Sequence, residues 1–224
     1  MTDKKKRSTK RTAPVPVRRT NAERSATTRT KLIEAAIDIL YQSGYSAATT
    51  ISVAQKAHVS RGAMLHQFPT RIGLLLGVAE YIVADHARRR HELLAIENFK
   101  DGMARFWAGA DLSSAIQSEP SAIALLEIMM ATRSDRALKK SFAPFTRAWA
   151  ELRKTAAAQV AADLGITDVA KVEDLITLHQ TSLRGLAIEL MFVHDREEVE
   201  RARRLLGHYE RIFVEKLIAE GTKA

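Results

Sequence analysis

Between Thr49 and Arg71 the chain reads TTISVAQKAHVSRGAMLHQFPTR, two short helical patterns separated by a break at Ala57-His58-Val59-Ser60. The first, Ile51 to Ala57, places Ile51, Ala54 and Ala57 on one face at i, i+3 and i+6. The second, Arg61 to about Gln67, opens at Ser60, whose hydroxyl can accept from the orphan amides of a helix start. Two such helices joined by a tight turn describe a helix-turn-helix. Helices this short are marginal in water, so the stretch can persist only on a larger helical platform. Taken alone it could equally be a helical hairpin inside an all-helical core, and its neighbours decide.

Upstream, Thr20-Asn21-Ala22-Glu23 has capping-box spacing and predicts a helix to about Ser43, closed by Gly44. Leu32, Ile33, Ala36, Ile37, Leu40 and Tyr41 recur on one face of it, which supplies the platform. Downstream, Thr70 caps a long pattern through Leu75, Leu76, Ala79, Ile82 and Val83. From Arg71 to about Ile96 that helix would reach ~40 Å, enough to join a small head to a larger body. The remainder reads as helices over 102–117, 121–132, 134–163, 168–194 and 196–220, without a strand-like alternation. The expected fold is all-α with about nine helices: a basic arm over 1–21, a helix-turn-helix head over 22–70, and a helical body over 71–224.

The charge is concentrated in one place. Residues 1 to 31 hold eleven Lys/Arg and two acids, which accounts for the whole net charge of +9, while the other 193 residues hold 24 of each sign. Lys4, Lys5, Lys6, Arg7, Lys10, Arg11, Arg18 and Arg19 alternate with Thr, Ser and Pro, a composition that cannot bury a core. Such an arm is a solvated tail or a phosphate-contacting segment; its adjacency to a helix-turn-helix favours DNA over a membrane surface.

Other classes are disfavoured. The chain has no cysteine, no apolar run near the ~20 residues that span a bilayer, and no signal-peptide pattern; a cytoplasmic protein is expected. No HExxH, phosphate loop or nucleophile elbow is present, and His86 and His91 lie at i+5, across helix faces. Neither an enzyme nor a cofactor or metal requirement is expected. A sequence-neutral nucleoid protein would explain the arm but not a neutral body of this size.

The order of a capped first helix, a helix-turn-helix, a linking helix and a larger helical body resembles the TetR family of bacterial transcriptional regulators. The residues that carry the resemblance are Ala35-Ala36, Gly44-Tyr45, Thr49-Thr50, Val53-Ala54, Ala57 to Gly62 and Phe68-Pro69-Thr70-Arg71, with Arg184-Gly185-Leu186-Ala187 in the body. The match covers Ala26 to Leu76. It departs from the family at His58, where glycine is usual, at Leu65, where tyrosine often reaches a phosphate, at Gln67 for histidine, at Arg71 for lysine and at Gly73 for an acid. A residue at position 58 needs or favours a positive φ, which His tolerates at some cost.

The resemblance implies a homodimeric repressor of a palindromic operator, released by a small-molecule effector. It places the recognition helix in the major groove, with Ser60 at its start and Arg61, Gly62, Ala63, His66 and Gln67 facing DNA. Thr49, Thr50, Thr70 and Arg71 would hold phosphates. Arg61 suits guanine or a phosphate and Ala63 a thymine methyl. Phe106, Trp107, Met129, Met130, Phe145, Trp149 and His179 are the candidates for an effector pocket, although such residues are more often core. The last two helices carry stripes at Val172, Leu175, Ile176, His179 and Leu183, and at Val199, Leu205, Leu206, Tyr209, Ile212 and Phe213. These stripes could pack on the body or, as a twofold four-helix bundle, on a second copy through 168–194 and 196–220.

Overall fold

The computed structural model describes residues 20–221, so the arm expected over 1–21 lies, for residues 1–19, outside the described residues. Among the described residues there are nine α-helices and no strand. They are α1 (Asn21–Ala47), α2 (Thr50–Lys56), α3 (Arg61–Gln67), α4 (Arg71–Leu93), α5 (Gly102–Gln117), α6 (Pro120–Ala131), α7 (Arg136–Leu164), α8 (Val169–Glu189) and α9 (Arg196–Gly221). A short 3-10 turn at Ile96–Asn98 shortens α4 relative to the expected end, giving a rod of ~34 Å.

Capping chemistry sets most of the starts. Thr20 and Glu23 exchange hydrogen bonds in a full capping box at α1, Asp101 accepts from Ala104 N–H at α5, and Pro120 occupies the first position of α6, where its missing amide costs nothing. The helical conformation of α1 breaks at Gly44 as expected. Gly44 kinks it with φ 75° and ψ −179°, a conformation restricted to glycine, and a further turn follows through Ala47.

One buried cluster runs through head and body. Leu32, Ile33, Ala36, Leu40, Val53, Met64 and Phe68 of the head continue without interruption into Leu74, Leu75, Val78 and Ile82 of α4, Leu125 and Ile128 of α6, and Leu138 and Phe142 of α7. α1 packs most extensively on α6, a helix apolar on nearly every side, as an enclosed helix should be. A smaller cluster of Ala157, Ala161, Ile166, Val172 and Leu217 closes the far end of the body.

Three faces differ from their sequence pattern. In α2, Val53 and Ala54 are buried, whereas Ile51 is exposed; α2 meets both α1 and α3, and those two contacts select the buried side. In α9, the expected single stripe divides. Val199, Glu210, Val214 and Leu217 turn inward, and Leu205, Tyr209, Ile212 and Phe213 remain exposed. α8 likewise buries Val172, Leu175 and Leu183 while exposing Leu178 and Ile188; it ends at Glu189 rather than 194.

Candidate nucleic-acid interface and a cleft in the body

Local hydrogen bonds set the geometry of the head. Thr49 Oγ1 accepts from Ser52 N–H at 3.1 Å and Ser52 Oγ accepts from Thr49 N–H at 3.0 Å; the Ser52 hydroxyl also donates to the Ala47 carbonyl at 2.6 Å. At the other end of α2, His58 has φ 52°. Its N–H bonds the Gln55 carbonyl and the Val59 N–H bonds that of Ala54, the paired closure of a Schellman motif. The expected positive φ at position 58 is therefore present. Ser60 Oγ then accepts from Ala63 N–H at 3.2 Å and starts α3.

α3 has two distinct sides. Met64 and the following Phe68 are buried, and Gln67 Nε2 donates to Ser25 Oγ of α1 at 2.7 Å. Arg61, Gly62, Leu65 and His66 are exposed, the i, i+1, i+4, i+5 spacing of a single helical face. Ala63 sits half-buried on the flank. Leu65, 41% exposed, belongs to the outward face although the sequence reading gave it no role; its spacing with Arg61 was the available signal.

The residues expected to hold phosphates are placed differently from one another. Thr70 Oγ1 caps α4 by accepting from Gly73 N–H at 3.0 Å. Arg71 turns inward: Nε donates to the Ala48 carbonyl at 2.8 Å, Nη2 donates to the Tyr45 carbonyl, and the guanidinium lies 4.1 Å from the Tyr45 ring centre. Arg71 thus clamps the connection between α1 and α2. Thr50 is half-buried at the first turn of α2. Phe68, which follows α3, is held under the Arg29 guanidinium at 4.4 Å. Its ring approaches Gly77 of α4 so closely that a Cβ there would lie 2.6 Å from it.

The seven effector candidates do not converge on one site. Trp107 and His179 line a cleft of 440 Å³ between α5, α8 and α9, together with Asp111, Arg203, Glu210 and Arg211. Phe106 stands edge-on to Trp107 at 4.8 Å. Glu210, only 5% exposed, meets His179 Nδ1 at 2.7 Å, while His179 Nε2 is buried without a partner. An adjoining cavity of 270 Å³ shares Asp111, Leu183 and Arg203. Met129, Phe145 and Trp149 instead pack against the large core, and Met130 is 58% exposed.

The comparisons with known proteins agree with this geometry. The family of bacterial regulatory proteins of the tetR type matches residues 32–78, from the middle of α1 through α2 and α3 to the first turns of α4. The HTH-type transcriptional regulator CymR of Pseudomonas putida is 31% identical over 196 residues, covering 84% of this chain and 91% of its own. The same architecture is found in a TetR transcription regulator from Haloarcula marismortui (TM-score 0.64, 20% identity, 84% of this chain and 98% of that one). It recurs in the multidrug binding protein EbrR solved with malachite green (TM-score 0.52, 20% identity, 80% and 96%). With its helix-turn-helix head and a relative 31% identical over 84% of the chain, the chain belongs to the TetR family and is a DNA-binding transcriptional regulator, not an enzyme.

Proposed function

We propose that the protein is a cytoplasmic homodimeric repressor that reads a palindromic operator and is released by a small molecule bound in its body. The observation that carries the reading is the outward face of α3: Arg61, Gly62, Leu65 and His66 are exposed together on a helix whose other side is locked to α1 by Met64 and Gln67. Arg61 reads guanine O6/N7 or holds a phosphate, Gly62 lets the backbone approach, and Leu65 takes over the thymine-methyl contact that Ala63 is too recessed to make alone. Ser60, Thr49, Thr50 and Thr70 sit at helix starts, where a backbone phosphate would meet both hydroxyls and N–H groups. The arm over 1–19 adds charge that is indifferent to sequence.

Dimerisation is assigned to the apolar faces that α8 and α9 leave exposed, Leu178 and Ile188 on one and Leu205, Tyr209 and Ile212 on the other; two copies would close them into a four-helix bundle. The α5–α8–α9 cleft is the effector site, with Trp107 as its apolar wall and the vacant His179 Nε2 as its polar contact. α7, which packs on α5 and α8 and also contributes to the core shared with the head, provides the link, since a ligand that favours one packing of the body shifts the population of head positions. EbrR, of the same fold, is a multidrug binding protein, which accords with a small-molecule role for the body.

The test is selection of duplexes by the purified protein, followed by salt titration on a selected and a random duplex. A repressor binds the selected duplex about 10³-fold or more tightly at physiological salt. Arg61→Ala erodes that ratio more than it erodes random-duplex affinity. Equal affinities at every salt concentration would overturn the reading in favour of a sequence-neutral nucleoid protein.

A further inference from the structure

Charge in the body is balanced as a whole but not locally. Residues 128–150 hold five Lys/Arg and one acid, Asp135, while the rest of the chain from residue 32 onward holds 19 Lys/Arg and 23 acids. Arg133 lies in the turn between α6 and α7, and Arg136, Lys139, Lys140 and Arg147 follow along α7. All five are exposed, and none has an ion-pair or hydrogen-bond partner for its side chain among the described residues.

The four on α7 stand at i, i+3, i+4 and i+11, a single helical face, on the side away from the buried Leu138 and Phe142. The stripe they form runs ~17 Å along the helix. Local physics does not ask for cations here. Arg136 and Lys139 fall in the first turn of α7, where the helix dipole favours acids, and that turn contains no acid. The Asp135 carboxylate just before it is turned to the Tyr45 hydroxyl and the Leu138 N–H instead.

The same Asp135 fixes where the stripe sits. Through Tyr45 it is tied to the corner of the head at which α1 gives way to α2. Arg71, at the start of α4, donates to the Tyr45 and Ala48 carbonyls there, and Thr49 follows as the cap of α2. The stripe therefore begins beside the α2 and α4 starts proposed as phosphate contacts, within about one duplex turn (~34 Å) of them.

We propose that this stripe is a second DNA contact, in which Arg133, Arg136, Lys139 and Lys140 take backbone phosphates flanking the bases that α3 reads. The proposal rests on the reading of α3 and of the Thr49 and Thr70 helix starts as the DNA face. Duplex DNA is the partner because the stripe is continuous with that face. A bilayer interface would also require apolar side chains beside the cations, and no large one is exposed between Arg133 and Arg147. Contacts of this kind add affinity and fix the body against the duplex without reading sequence.

The test uses the duplex selected by the purified protein, prepared at the length of the selected site and with about one duplex turn added on each side. Salt titrations compare the parent with a variant combining Arg133→Gln, Arg136→Gln, Lys139→Gln and Lys140→Gln. Because the replaced cations oppose the helix dipole, the variant is expected to match or exceed the parent's urea midpoint, so a changed slope is not a lost fold. On the long duplex the slope of log affinity against log salt is expected to fall by about 2 or more, at about 0.9 per phosphate released. On the short duplex the two proteins are expected to coincide. Arg133→Lys with Arg136→Lys, which keeps the charge, is expected to keep the parent's slope on both. Equal slopes for parent and glutamine variant on the long duplex, or the same fall on both lengths, would overturn the proposal. So would binding of phosphatidylserine-rich vesicles that the glutamine variant loses while its DNA slope is unchanged, which would assign the stripe to a membrane surface. Failure to select any duplex refutes the reading of α3 as well, whereas a clear selected site with unaffected slopes refutes the stripe alone.

Discussion

The phenol of Tyr45 donates to Asp135 Oδ2 at 2.8 Å, while Oδ1 of the same carboxylate accepts the Leu138 N–H at 2.9 Å. One side chain therefore caps α7 and holds the last turn of α1. Glu127 of α6 accepts the Tyr45 N–H at 2.9 Å, and Arg71 covers the ring, so four elements meet at this tyrosine. Tyr45→Phe removes one hydrogen bond to a charged acceptor and should lower stability, read as a fall in the urea midpoint.

The same junction has an acid-side signature. The Leu138 N–H and then the Tyr45 hydroxyl hold the Asp135 carboxyl below the usual aspartate range. A carboxyl whose folded pKa is depressed contributes stability that is complete above its unfolded value, near ~3.9, and is lost as pH falls through the lower folded value. Asp135→Asn should flatten the decline of unfolding free energy below about pH 4. A variant curve parallel to that of the parent in this window would show that Asp135 is not responsible.

His58 carries a left-handed backbone at φ 52°, a conformation that costs an L-residue about 1 kcal/mol or more. Glycine removes that strain but gives the unfolded chain more freedom, so His58→Gly should stabilise by a net ~0.5 kcal/mol, and His58→Val should destabilise. Both are measurable as denaturant midpoints at constant slope; a lower midpoint for the glycine variant would sink the account.

Much of this was readable in the chain because it is local. Thr20, Thr49, Ser60 and Thr70 cap helices within three residues of themselves, and the demand for positive φ at His58 follows from its neighbours alone. What was not readable depends on partners far along the chain. Arg71 reads as a phosphate contact until the Ala48 and Tyr45 carbonyls are seen to occupy it, and Ile51 reads as buried until α2 is placed on α1. Tyr45 meets Glu127 and Asp135 from 82 and 90 residues away. The aromatic and methionine residues could not be sorted from composition, because core and pocket use the same side chains.

Leu65 gives the outward face of α3 an apolar side chain where the family pattern favours a phenol. On a selected operator, replacing individual thymines by deoxyuridine removes one methyl at a time. At the position Leu65 covers, this should weaken binding by about 1 kcal/mol, and Leu65→Ala should abolish the difference between the two bases there. If no thymine position shows a methyl effect that depends on Leu65, the residue faces solvent or sugar.

The exposed sides of α8 and α9 can be tested without DNA. Leu178 is 58% and Tyr209 62% exposed, on adjacent antiparallel-capable helices whose inner sides are already filled by Val172, Leu175, Leu183, Val199 and Val214. Because the inner sides are complete, Leu178→Glu and Tyr209→Glu should leave helicity and the urea midpoint of the isolated chain nearly unchanged, as outward-facing substitutions do. In a dimer closed through these faces, the four introduced carboxylates of the double variant would be brought together in an apolar interface, where like charges cannot be compensated. The expected result is a shift to monomer mass in sedimentation, with loss of the cooperative reading of two half-sites and retention of weak binding to one. A double variant that still sediments as a dimer would place the interface elsewhere on the body.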